Sequence, residues 1–268
     1  MLTVTPPETG ETPVQVGIRR LSPSRAGDFK TCPQLFKFRA IDRLDEPPSA
    51  AMARGTTAHL ALEGLFDLPP VERTPEALVR LFRTAWNELR AEPGYSTLFP
   101  TREAEREWGL ASLDLVRRYF DIEDPSRVEP LQREWPLELA LDGVPLYGIL
   151  DRIDEQADGS LVITDYKTGS APPERYALGA FFGMKIYAVL VRRLTGKMPT
   201  ELRLLYLSGP TLYTLDVHAQ QLDAMERQVS ALWSAIQRAI DRDLYPPCVS
   251  RLCDYCSFRE ICPAFATG

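Results

Sequence analysis

The chain has no G-x-x-x-x-G-K-[ST] stretch, so work driven by ATP through a phosphate loop is not expected of it. No uninterrupted apolar run approaches bilayer-spanning length, and neither a low-complexity tract nor an internal repeat interrupts the 268 residues. These absences argue against a membrane span, a disordered chain and a repeat array. The first 17 residues, MLTVTPPETGETPVQVG, lack a basic segment followed by an apolar one. They read as a flexible tail rather than an export signal, and the cytoplasm is the expected compartment. A formal net charge of -6 excludes a uniformly basic nucleic-acid binder but leaves room for a basic groove on an acidic surface. Histidine is scarce, at two residues. Cysteine numbers five, an odd count, with one near the beginning and four close to the C-terminus; without an export signal this favours metal ligation over disulfides.

What is present suffices for a buried core: 44% hydrophobic and 25% charged residues imply one compact domain with appendages, residues 18–268. Ser22-Pro23-Ser24 starts a helix carrying Phe29, Leu35, Phe36 and Phe38 among basic residues. A second helix is expected in ARGTTAHLALEGLF, opened by glycine and threonine and closed by Pro69-Pro70. There His59, Leu62, Glu63 and Phe66 share one side. Thr74 with Pro75, and then TREAEREWGLASLDLVRRYF, start two more helices, which read as an inserted lobe over about 70–125.

The texture then changes to strands. LQREWPLELAL, an Asp142-Gly143 turn, PLYGILDRIDE, an Asp158-Gly159 turn and LVITDYKTG predict an antiparallel meander. A helix ending at Gly196, two strand-like runs and a long helix from about Ala219 to Asp243 follow. The order predicts an α/β fold, a mixed sheet flanked by helices, with its core over about 129–245.

At the end of the third strand, Asp165 and Lys167 project from one face and Tyr166 from the other. Asp151, in GILDRID, lies beside Asp165 across the meander, and Glu134 on the first strand can join them. Two carboxylates about 4 Å apart repel by ~4 kcal/mol at an effective dielectric near roughly 20, so the cluster asks for a proton or a cation. Oxygen ligands favour Mg²⁺ or Mn²⁺, and an imidazole from His59 tilts the choice toward Mn²⁺. An isolated D-x-K is more often a salt-bridged strand end. A lone histidine is more often simply packed.

Taken together, GTTAHLALE on a helix, GILDRID and TDYKTG on neighbouring strands and Tyr187 on the following helix resemble the PD-(D/E)XK nuclease superfamily. Within it the chain is similar to the RecB-family exonucleases and the end-trimming nuclease of CRISPR spacer acquisition. The resemblance covers Leu21 to Pro263. It implies a restriction-endonuclease-like sheet and metal ligation by His59, Asp151, Asp165 and the Tyr166 carbonyl. It also implies a catalytic Lys167, an assisting Glu134 and a catalytic-site Tyr187. The relatives read Q-x-x-x-Y on that last helix; here GMKIY puts Gly183 in place of the glutamine. The implied activity is metal-dependent DNA exonuclease action at single-stranded ends, in repair, recombination or end processing. A helicase or other recombination subunit is an implied partner. The alternative is a catalytically silent DNA-binding or scaffold subunit.

CDYCSFREIC spells C-x-x-C-x5-C, with Cys253, Cys256 and Cys262, and Cys32 is the candidate fourth thiolate. In the similar proteins an early cysteine completes a 4Fe-4S cluster, so the resemblance implies one joining the first helix to residues 246–268. Zinc remains the alternative on spacing alone. Cys248 stands outside the motif and reads as a plain thiol. Arg19, Arg20, Arg25, Lys30, Lys37, Arg39 and Arg192-Arg193 are the basic patches expected to meet phosphates, with the interleaved phenylalanines mostly core.

Overall fold

A computed structural model describes residues 18–266, so the tail at residues 1–17 lies outside the described residues. Helix α1 (Pro23–Thr31) is capped by Ser22, whose side chain accepts from the Arg25 N–H. Cys32 breaks it, and α2 (Pro33–Phe36) runs into a π-turn over Lys37–Ile41. Helix α3 (Ala50–Leu65) starts earlier than its glycine and threonines suggest. Ser49 caps it by accepting from Met52, which places Gly55 inside the helix. Helix α4 (Pro75–Leu89) begins at the expected cap Thr74, and α5 (Arg102–Arg117) is capped by Thr101.

Strands β1 (Pro130–Leu141), β2 (Val144–Glu155) and β3 (Leu161–Lys167) form the expected meander. Its first turn holds Asp142 at φ 47° and Gly143 at φ 84°, the left-handed pair that a tight hairpin requires. A crossover through α6 (Glu174–Ala180), which the sequence pattern does not announce, and α7 (Phe182–Thr195) leads to β4 (Pro199–Tyr206), parallel to β3. Strand β5 (Thr211–Asp216) returns antiparallel, and α8 (Ala219–Arg242) follows. Gly196 at φ 71° ends α7 as its position predicts. The sheet order is β1-β2-β3-β4-β5, the mixed sheet expected from the alternation of elements.

Two cores lie against the sheet. One gathers Ala26, Phe36, Ile163, Leu190, Leu202 and Val229 from α1, α2, the strands, α7 and α8. The other packs α3, α4 and α5 through Leu62, Leu78, Phe82 and Val116 onto Tyr166 and Leu205. Because β3 alternates, Ile163 belongs to the first core and Tyr166 to the second. Asp165 and Lys167 emerge where that alternation reaches the end of the strand. No helix among the described residues is long and apolar enough to cross a membrane.

Candidate active site

Helix α3 presents His59 to the meander. Its Nε2 lies 2.9 Å from the Tyr166 carbonyl, which can only accept, so Nε2 carries the proton. In that tautomer the Nδ1 lone pair faces Asp151 Oδ2 at 3.4 Å and Glu134 Oε1 at 3.9 Å, so three acceptors converge and call for a proton or a cation between them. The Tyr166 N–H in turn donates to Asp151 Oδ2 at 2.9 Å. One residue of β3 thus orients two candidate ligands, through its carbonyl and its amide.

Donor atoms of His59, Glu134 and Asp151 all lie within 4.8 Å of one another. Asp165 is outside that triple, and its Oδ2 stands 2.5 Å from Lys167 Nζ. The contact is ionic but does not meet hydrogen-bond geometry, which leaves Asp165 Oδ2 buried without a hydrogen bond. Burial first, and the Asp165 carboxylate second, push Asp151 up to about 7. Burial also raises Glu134, with Glu63 and Asp165 adding to it and His59 opposing it. Lys167 is raised: burial, the largest single effect, works to lower it, and the Asp165 and Asp151 carboxylates together outweigh burial. Carboxylates so disfavoured as anions, converging on an imidazole lone pair, suit a divalent cation. The Tyr166 carbonyl, expected as a further ligand, accepts from His59.

Glu134 occupies β1 with φ 40°, a left-handed conformation rare for a non-glycine residue and costing about 1–3 kcal/mol. Nothing in the local sequence announces it. The flanking pairs Arg133↔Arg152 and Trp135↔Leu150 continue the β1-β2 register, so the twist is confined to the residue that turns its carboxylate toward His59. Tyr187, on α7, lines a cavity of about 210 Å³ with Pro23, Asp165, Lys167 and Gly183. A Cβ built on Gly183 would meet Pro23 Cβ at 3.4 Å, an ordinary contact, so a small side chain fits at that position.

A model of the PD-(D/E)XK nuclease superfamily matches residues 20–263. The chain belongs to this superfamily. Among the relatives of this PD-(D/E)XK chain is the Gene 69 protein of Mycobacterium phage D29, 24% identical over 62% of this chain and 69% of its own length. A subunit of the ATP-dependent helicase/deoxyribonuclease of Streptococcus agalactiae is 29% identical over 43% of this chain. The match spans only 11% of that much longer protein. In fold the chain resembles the solved structure of a presumptive exonuclease from Eubacterium rectale, with TM-score 0.55 and 14% identity over 92% of this chain and 86% of that one.

All five cysteines of the PD-(D/E)XK chain line one small cavity between α2 and the C-terminal segment. Among the described residues no three sulfurs come within 4.8 Å of one another. Cys248, expected to stand apart, shares the cavity, and its N–H points to Cys32 Sγ at 3.4 Å. Phe38 and Phe258 stack beside it with ring centroids 5.1 Å apart, so apolar contact already joins the two ends.

Most of the expected basic patches are engaged within the protein. Arg39 binds Asp28 and Glu46, Lys37 binds Asp42 and Asp243, Arg20 binds Glu138, and Arg192 and Arg193 clasp Glu226. Lys30 lies over the Phe182 ring. These cations answer acids and a ring of the fold rather than standing open to a ligand.

Two residues carry no flag in the sequence motifs. Arg152 is fully buried; it grips Glu123 through two 2.7 Å bonds, donates to the Tyr166 hydroxyl at 2.7 Å and to Asp154 at 3.1 Å. An arginine between two aspartates in the strand stretch GILDRID is the signal that could have found it. Gly148 is the other: a Cβ there would sit 2.6 Å from Tyr187 Cε1, so glycine lets that ring lie against β2.

Proposed function

We propose that this chain is a divalent-metal-dependent deoxyribonuclease that acts as an exonuclease on single-stranded DNA ends, in repair, recombination or end processing. The observation that carries this reading is the convergence of His59, Glu134 and Asp151 within 4.8 Å, next to the Asp165-Lys167 pair, in a chain of this superfamily. The residues suited to hold Mg²⁺ or Mn²⁺ are His59, Asp151 and Glu134, with Asp165 beside them. When bound, such a cation supplies Lewis acidity to the phosphoryl group and lowers the pKa of water. Lys167 contributes a charge that steadies the attacking water and offsets negative charge developing on the phosphate. Tyr166 orients His59 and Asp151, and Tyr187 closes the pocket wall beside Asp165.

In the same reading Cys32, Cys253, Cys256 and Cys262 hold a 4Fe-4S cluster that staples α1 and α2 to residues 246–268 of one domain. A single zinc with bonds near 2.3 Å would draw four sulfurs to about 3.8 Å of one another. Loop-closure entropy over nearly the whole chain makes such a staple stabilising. Iron and sulfide analysis with the visible spectrum separates it from zinc. The match to part of a helicase/deoxyribonuclease supports a helicase as partner.

One observation favours a silent scaffold instead: Gly183 leaves the cavity beside Asp165 and Lys167 without the glutamine of the relatives. The deciding experiment is anaerobic digestion of single-stranded DNA labelled at either end, with Mn²⁺, Mg²⁺ or chelator. Metal-dependent loss of one label supports the exonuclease and gives its polarity. Absence of cleavage with any metal, by folded protein, selects the scaffold.

A further inference from the structure

We propose that Arg152 is a positioning residue for the metal site, acting through the Tyr166 hydroxyl and taking its own place from Glu123 of the helical lobe. This role rests on the nuclease reading of the site, whereas the contacts behind it do not. Alternation along β2 sends Asp151 and Arg152 to opposite faces. Asp151 reaches the site; Arg152, opposite Thr164 of β3 in the strand register, shares the buried face with Tyr166. Its guanidinium donates to both Glu123 carboxylate oxygens and to the Tyr166 hydroxyl at 2.7 Å, and to Asp154 at 3.1 Å. It also lies over the Phe66 ring, 5.3 Å from the centroid, and Phe66 caps the helix that carries His59. One buried charge therefore touches β2, β3, the lobe and the end of α3.

Tyr166 has reason to need such an anchor. The pairs between β2 and β3 stop at Arg152↔Thr164. Beyond them the Tyr166 N–H and carbonyl meet side chains instead of a strand, Asp151 Oδ2 and His59 Nε2, each at 2.9 Å. On its other edge β3 stays paired with β4 through Tyr166↔Leu205, which holds the backbone there but not the ring.

The ring is held by a closed circuit of four side chains. Tyr166 accepts from Arg152, Arg152 grips Glu123, and Glu123 accepts from the Tyr119 hydroxyl at 2.7 Å. The Tyr119 ring then closes on the Tyr166 ring, with centroids 5.9 Å apart at 84°. His59 meets the free side of the same Tyr166 ring at 6.1 Å and 89°. Bonds to a charged group are short and directional, so the circuit fixes the ring closely. A tilt of that ring would move the two peptide groups that orient His59 and Asp151, and a metal site tolerates little displacement of its ligands.

The test uses full-length protein and two readouts. Tyr166→Phe removes the hydroxyl and keeps the backbone carbonyl and amide; Arg152→Lys keeps the charge and loses the planar fork. The first readout needs no metal: the chain has two histidines, so ¹⁵N spectra of the imidazole rings, assigned with His59→Ala, report the His59 tautomer directly. The wild type should show a proton on Nε2, and both variants a mixture of tautomers. The second is calorimetric titration with Mn²⁺. Affinity should fall about tenfold in Tyr166→Phe and further in Arg152→Lys, within the 10–100-fold range of groups that orient a ligand. The double variant should bind no more weakly than Arg152→Lys alone, and Glu123→Gln should shift the same way as Tyr166→Phe. Phe82→Leu, packed in the same core outside the circuit, should lower the unfolding temperature and leave both readouts at wild type.

Variants that unfold earlier but keep the wild-type tautomer and Mn²⁺ affinity would reduce Arg152 to a structural residue. Equal losses in Phe82→Leu would do the same. Wild-type Mn²⁺ binding and cleavage with unaltered variants would sink the positioning role and spare the nuclease. A wild type that binds no Mn²⁺ would sink the metal reading, and the tautomer in metal-free protein would still decide whether Arg152 positions His59.

Discussion

His59 donates from Nε2 to the Tyr166 carbonyl at 2.9 Å, and through that bond α3 is aligned with the strand that carries Asp165 and Lys167. The bond selects the tautomer that turns Nδ1 toward Asp151 and Glu134. His59→Ala should therefore weaken Mn²⁺ binding by more than about tenfold, since even groups that merely orient a ligand are worth 10–100-fold. Calorimetric titration with Mn²⁺ and Mg²⁺ checks this. Unchanged Mn²⁺ affinity would remove His59 from the ligand set.

Lys167 is 44% exposed in its side chain and pairs with Asp165 at 2.5 Å. Lys167→Ala and Asp165→Ala should each lower cleavage by at least about 10²–10³-fold, the loss typical of a group that stabilises developing charge. Thermal unfolding and cysteine-site absorbance should stay as in the wild type. Cleavage at the wild-type rate by either variant would falsify the site assignment.

Glu134 holds its carboxylate toward His59 at the expense of a strained φ of 40°. Glu134→Gly should match or exceed the wild type in stability, by up to about 1 kcal/mol, because glycine adopts that conformation freely. Glu134→Ala should be less stable than Glu134→Gly, and both should cleave more slowly. Denaturant unfolding of the pair gives the answer; identical stabilities would show that the backbone there carries no strain.

Gly148 allows the Tyr187 ring to lie on β2, where an added Cβ would be 2.6 Å from Cε1. Gly148→Ala should destabilise by about 1–3 kcal/mol through overpacking and should slow cleavage by displacing Tyr187. Combining it with Tyr187→Leu should not add a second full loss, and additive effects in a double-mutant cycle would contradict the contact.

Arg152 is the buried hub behind the site. Replacing it by methionine strands Glu123 and Asp154 in the interior and should cost about 3–5 kcal/mol. The pH dependence follows from Glu123. Burial, the largest single effect, would raise this carboxyl, but the bonds and charge of Arg152, with the Tyr119 bond and the Arg203 charge, together outweigh it and hold it below its ordinary 4.5. A depressed folded pKa gives stability that is present above 4.5 and is lost as pH falls through the folded value. The wild type should accordingly lose this contribution in acid. The gap between wild type and Arg152→Met should narrow below about pH 4, as denaturation curves across pH will show.

Features legible in the sequence are those written in short-range chemistry. Ser22 and Thr74 cap helices where the pattern puts them, because a cap needs only its own side chain and an N–H three residues on. The Asp142-Gly143 turn and Gly196 likewise follow from local backbone preference. The β3 alternation is enough to place Asp165 and Lys167 on one face. Pattern and structure part where distance decides. Local preference opens α3 at Gly55, whereas Ser49 caps it earlier, and α6 is a short helix held in a crossover. Arg39, Lys37, Arg192 and Arg193 read as open to phosphates in the sequence, yet their partners lie on other segments or other faces of the fold.

By itself, then, the sequence determined the elements, their order and the residue types able to hold a metal, because periodicity, caps and turns act over a few residues. Only the tertiary structure decided which of those residues meet. The closing of α3 onto β3 joined His59 to Tyr166, and a strained φ turned Glu134 inward. Each is a long-range juxtaposition, set by which cores bury together rather than by any local preference.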